Sequence, residues 1–151
     1  MKSLQSWFDE YAVSHQNEKN IKIHFICVPA IFFSVVGLLM SIPNYNLLSF
    51  LPHPILANWA FILLTIVLIF FYFQLSIKVG LQMLLFSAIC LVGNYYIGEE
   101  MPLLYFSLIV FIIAWIGQFY GHKIEGKKPS FIKDLQFLLI GPAWVVYKVF
   151  R

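Results

Sequence analysis

Four apolar stretches, each close to the ~20 residues a helix needs to cross a hydrocarbon core about 30 Å thick, dictate what this chain can become. They occupy residues 25–42, 55–76, 79–98 and 103–121, and they stop at Pro43, before Lys78, at Glu99 and Glu100, and at His122. A fifth apolar stretch, 131–150, carries Lys133 and Asp134 near its start and Gly141-Pro142 in its middle. That dipeptide is expected to break or kink a helix, so the stretch reads as an interfacial or re-entrant helical pair. Of 151 residues, 61% are hydrophobic and 11% charged, against roughly 25% charged in a soluble domain. Water could not cover so much apolar side chain. The expected fold is all-α: a polytopic membrane helical bundle of about four transmembrane helices, forming one integral domain over residues 1–151.

Basic residues set the expected orientation, because Lys and Arg in short loops stay on the cytoplasmic side. Lys2, Lys19 and Lys22 precede the first run, Lys78 separates the second from the third, and Lys123, Lys127, Lys128 and Lys133 follow the fourth. Lys148 and Arg151 end the chain, while the loops 43–54 and 99–102 hold no Lys or Arg. Four crossings put every cation on one face, with both termini cytoplasmic. Charge beside anionic head groups explains the net +3, so membrane lipids are the expected partner and nucleic acid is not. The first 24 residues are polar and charged, which is not the pattern of a cleavable signal peptide. Cys27 and Cys90 sit inside apolar runs without metal or redox spacing and read as buried hydrophobes.

The same topology gathers three of the four histidines, His15, His24 and His122, on the cytoplasmic face and leaves His53 on the other. Gln118, His122 and Glu125 follow at i, i+4, i+7, which places them on one helical face. A His and a Glu one turn apart suit a shared metal, and a Gln inside an apolar run calls for a hydrogen-bonding partner. At the N-terminus, Leu4, Trp7, Phe8, Tyr11 and Ala12 mark an amphipathic helix whose face His15 continues. A turn in the polar stretch 16–20, with Asn20 as helix N-cap, would fold His15 and His24 together. The candidate metal ligands are therefore His15, His24, His122 and Glu125, ringed by Tyr11, Asn20 and Gln118. Lys22 and Lys123 are candidates to offset a substrate carboxylate, although snorkelling to lipid phosphate also suits them. Imidazole with carboxylate suits iron(II), zinc or manganese, and the ligand count suits one ion per chain.

The pattern Tyr11-x3-His15-x4-Asn20-x3-His24-x4-Pro29, then Trp115-x2-Gln118-Phe-x-Gly121-His122-x2-Glu125-x3-Pro129 and Gly141-Pro142, resembles the small membrane dioxygenases acting on 2-hydroxy fatty acids. That family is known from yeast phytosphingosine breakdown. The resemblance covers essentially the whole chain. It implies an iron(II)-dependent α-oxidation in which a long-chain 2-hydroxy fatty acid and O2 give the acid one carbon shorter and CO2. His15, His24 and His122 match the family histidines and Glu125 the acidic residue after them, and no haem, flavin or nicotinamide is implied. Lys148 departs from the pattern, standing where an acidic residue is expected. The expected location is the bacterial inner membrane, or the endoplasmic reticulum in a eukaryote, with the metal site on the cytoplasmic side. Two other function classes fit the composition. One is a non-catalytic lipid-binding or assembly protein, which would hold no stoichiometric metal. The other is a zinc-dependent lipid hydrolase, for which the chain has the ligands but no HExxH motif or nucleophile elbow.

Overall fold

The computed structural model describes residues 1–126 and 131–150, and of 131–136 the backbone alone. Lys127, Lys128, Pro129 and Arg151, which carry part of the charge tally and the family pattern, lie outside the described residues, as do the side chains of Lys133 and Asp134. The described chain is all-α and holds no strand: α1 (Leu4–Val13), α2 (Glu18–Met40), α3 (Trp59–Leu75), α4 (Ile77–Glu100), α5 (Leu103–Glu125) and α6 (Phe131–Val149).

Each boundary has a local cause. Ser3 Oγ accepts from Ser6 N–H at 3.1 Å and starts α1, whose apolar side is covered while Gln5, Asp9 and Glu10 face outward. Asn17, not Asn20, caps α2: its Oδ1 accepts from Lys19 N–H at 2.9 Å and its carbonyl from Ile21 N–H at 2.9 Å. Helix therefore begins before the apolar run and leaves the Asn20 side chain available to other elements. The second run starts late, because Asn58 Nδ2 donates to the carbonyls of Pro54 and Ile55 while its Oδ1 accepts from Phe61 N–H. Leu68–Tyr72 within α3 is π-helical, and extended backbone at Ser76 ends it. Met101 is extended ahead of Pro102, as a pre-proline residue tends to be. After α5 the chain turns at Gly126, whose φ of 76° favours glycine.

The expected break at Gly141-Pro142 does not occur, since α6 runs through both residues as one helix. Gly141 is an approach point: a Cβ there would lie 3.0 Å from Tyr11 Oη and 3.3 Å from Val28 Cγ1.

Among the described residues, α2, α4 and α5 are long and apolar enough to cross a membrane. Twenty-three residues reach about 34 Å at 1.5 Å each. Helix α3 is shorter, reaching roughly 25 Å. Outward faces carry large aliphatics, including Leu81, Leu85 and Ile89 on α4 and Ile109, Ile113 and Ile116 on α5. Rows of that kind suit a lipid-facing surface, because water would penalise them.

Two compact units divide the chain, Met1–Phe32 with Phe111–Arg151, and Phe33–Val110. In the second, Asn94 Nδ2 donates to the carbonyls of Phe33 and Cys90, tying the C-terminal part of α2 to α4. A Cβ on Gly37 would collide with Ser107 Oγ and Asn94 Oδ1, so only glycine permits that approach. His53 lies in this unit, its ring 5.5 Å from Tyr95. Cys27 and Cys90 are free thiols.

Candidate metal centre

The first unit brings His15, His24 and His122 together. His15 follows the last turn of α1, with its amide on the Ala12 carbonyl. The α1–α2 turn then reverses the chain, and His24 comes round to meet it from α2. Their ring centroids are 4.3 Å apart, with His122 of α5 at 5.3 Å from His24 and 6.1 Å from His15. All three are more than nine-tenths buried.

Backbone carbonyls fix two of the tautomers. His15 Nδ1–H donates to Tyr11 O at 2.6 Å and His24 Nδ1–H to Asn20 O at 2.9 Å. Because a carbonyl only accepts, each neutral ring carries its lone pair on Nε2, the arrangement in which metal-ligating histidines are usually held. His24 Nε2 is buried without a hydrogen-bond partner among the described residues. Tyr11 stacks on His15 at 4.0 Å with 10° between planes, and Phe137 meets Tyr11 edge-on. Trp144 packs 5.2 Å from Tyr11 and 5.9 Å from His15. Lys148 Nζ sits 4.3 Å above the Trp144 ring, which gives the basic residue found in place of the expected acidic one a cation–π contact.

Glu125 serves the turn. Its Oε1 accepts from Gln16 N–H at 3.0 Å, and its Oε2 from Asn17 N–H at 2.9 Å and Asn20 Nδ2 at 3.0 Å. Asn20 also donates to Ser14 O. This latch holds the α1–α2 turn, and so the His15–His24 pair, onto the end of α5. Close helix approach makes it possible: a Cβ on Gly117 would lie 2.5 Å from Cys27 Sγ, and one on Gly121 would press into Asn20 Oδ1. Gly117 and Gly121 stand one turn apart, a small-xxx-small signal legible in the sequence that motif reading for metal ligands passes over.

Beside the histidines opens a cleft of about 450 Å³, its open mouth included, and Gln118 is in its wall. The rest of its lining is largely apolar and includes Val28, Ile31, Phe32, Phe137, Leu138 and Pro142. Of these only Pro142 stands out in the sequence, through the Gly141-Pro142 pair; the others, and Trp144, carry no signal that separates them from ordinary apolar helix residues. Lys22 and Lys123 are exposed and do not line the cleft.

Among the described residues no three His, Cys, Asp or Glu side chains surround a common point at ligand distance. In donor chemistry the trio nevertheless fits a divalent metal: buried neutral imidazoles, two with their tautomers set by carbonyls, and one Nε2 unpaired.

The sequence from end to end decides the family. A family model described as 2-hydroxy-palmitic acid dioxygenase Mpo1-like matches residues 1–151. The chain belongs to the Mpo1-like family. It is 30% identical over 149 residues to the Saccharomyces cerevisiae protein named 2-hydroxy-palmitic acid dioxygenase MPO1, an overlap covering 96% of this chain and 78% of the yeast protein. No solved structure matches it. Within this Mpo1-like chain the motif residues of two distant segments, 11–24 and 115–125, form one cluster, although 90 residues of sequence separate them.

Proposed function

We propose that the chain is an iron(II)-dependent dioxygenase performing α-oxidation of long-chain 2-hydroxy fatty acids. One acid and one O2 give the fatty acid one carbon shorter, one CO2 and one water, so that C1 leaves oxidised and C2 becomes the new carboxyl. The observation that carries this reading is the trio of buried histidines lining a cleft whose other walls are largely apolar, in a chain whose yeast relative is named a 2-hydroxy-palmitic acid dioxygenase.

His15, His24 and His122 would hold the ion. Iron(II) held there would supply Lewis acidity toward a 2-hydroxy acid and the redox chemistry that a reaction with O2 requires. The protein's own part is positioning and exclusion. The Tyr11 and Asn20 carbonyls keep Nε2 of His15 and His24 deprotonated, while Tyr11, Phe137 and Trp144 wall the rings with aromatic surface. The apolar lining of the cleft receives the alkyl chain, which releases about 0.8 kcal/mol per methylene withdrawn from water. Glu125 acts by holding the turn, both of its oxygens being engaged by N–H groups.

Four crossings, α2 to α5, would place both termini and the site on the cytoplasmic side, following the distribution of Lys and Arg. A substrate resting in that leaflet enters from the bilayer.

The test is metal analysis of the detergent-purified chain with O2 uptake on 2-hydroxypalmitate. Close to one iron per chain, lost with turnover in His15→Ala/His122→Ala, is the expected result. Stoichiometric zinc with lipid hydrolysis would replace the reading by the hydrolase, and absence of stoichiometric metal by a lipid-binding protein.

A further inference from the structure

Gln118 is the polar side chain of this site that the scheme above leaves without work. It lies on α5 one turn before His122, is 8% exposed, and lines the cleft together with His24 and His122. Its Oε1 is buried without a hydrogen-bond partner among the described residues. A carboxamide left unpaired inside an apolar span is strongly disfavoured. One turn back, Trp115 lines the same cleft, and its Nε1 is likewise buried and unpaired. The α5 wall thus carries hydrogen-bonding capacity that no described protein group uses, in a cleft whose lining is otherwise largely apolar.

We infer that Gln118 is the specificity-determining residue for the 2-hydroxyl group, an inference that rests on the substrate class proposed above. A carboxamide carries an acceptor and a donor side by side. A 2-hydroxy acid carries an O–H donor and carboxylate acceptors on adjacent carbons. Oε1 accepts the hydroxyl proton while Nε2 donates to the carboxylate, and the amide's orientation follows from that pairing. An unsubstituted fatty acid offers the carboxylate but leaves Oε1 buried and unpaired, which is how a site built around a substrate hydroxyl rejects the analogue lacking it. The 2-hydroxyl is therefore read by a side chain of the protein.

The experiment measures binding of 2-hydroxypalmitate and palmitate to the full-length chain in detergent micelles under nitrogen, where no turnover occurs, with iron content determined in parallel. In Gln118→Leu the preference for the hydroxy acid is expected to fall about tenfold or more, with palmitate bound at least as tightly as by wild type and iron content unchanged. Gln118→Met, close to the native length, gives the same result should the leucine variant fail to fold. An unchanged preference overturns the inference alone, as does a loss of iron in either folded variant, which would make Gln118 a support for a metal ligand instead. Wild type binding neither acid overturns the substrate reading and this inference together.

Discussion

Asn20 Nδ2 donates to Glu125 Oε2 at 3.0 Å across 105 residues of sequence. That carboxylate also takes the amides of Gln16 and Asn17. One side chain at the end of α5 thereby fixes the turn that presents His15 to His24. Glu125→Ala is expected to lower stability by about 2 kcal/mol, the scale of charge-assisted hydrogen bonds lost from a turn. Thermal unfolding in detergent measures this. Glu125→Gln keeps one acceptor oxygen and is expected to retain wild-type iron content; iron falling to background in that variant would make Glu125 a ligand after all.

Helix approach at Gly121 leaves no room for a methyl group. Gly121→Ala presses Cβ into the amide head of Asn20, which cannot retreat without breaking its bonds to Ser14 and Glu125. Overpacking of this kind costs about 1–3 kcal/mol. Gly98→Ala is the control, because its Cβ would meet Leu103 at 3.6 Å, ordinary contact distance. Equal melting temperatures for the two variants would refute the steric argument.

Replacing histidines one at a time separates the trio from the fourth. His24→Ala should abolish iron retention and reduce O2 uptake on 2-hydroxypalmitate to background. His53→Ala, altering a ring that packs on Tyr95 in the other unit, should keep both within about twofold, the scale of a surface substitution. Parallel losses would mean that His53 also serves the site.

Chelation addresses metal identity. Activity removed by a strong chelator under nitrogen is expected to return with iron(II) and not with zinc, which has no redox chemistry to offer O2. Recovery with zinc alone would favour hydrolysis.

Cysteine labelling tests orientation. Ser49→Cys, exposed in the loop before α3, should react with a membrane-impermeant maleimide on intact bacteria expressing the chain, while Lys19→Cys, also exposed, should react only after permeabilisation. The reverse pattern would invert the site.

Much of this protein follows from local rules. Apolar run length called for membrane-crossing helices, and α2, α4 and α5 have that length. Periodicity over Leu4 to Ala12 anticipated α1, and the spacing of His15 and His24 about a polar turn anticipated their meeting. Helix length and helix periodicity are set within a few turns, where 3.6-residue geometry suffices, and the histidine pair is close in sequence, nine residues apart across one turn. Other features depended on which helices touch. Asn20 read as a cap, yet Asn17 takes that place, and the Asn20 amide is used instead by Glu125, more than a hundred residues away. Gly141-Pro142 read as a break, yet α6 continues through both, and Gly141 is instead the point where α6 comes closest to Tyr11 and Val28. The apolar lining of the cleft could not be read at all, since Ile31, Phe32, Phe137 and Leu138 look like any other apolar helix residues until α2 and α6 face one another. Helix formation is local chemistry, whereas the use of each side chain is decided by neighbours that only the folded chain supplies.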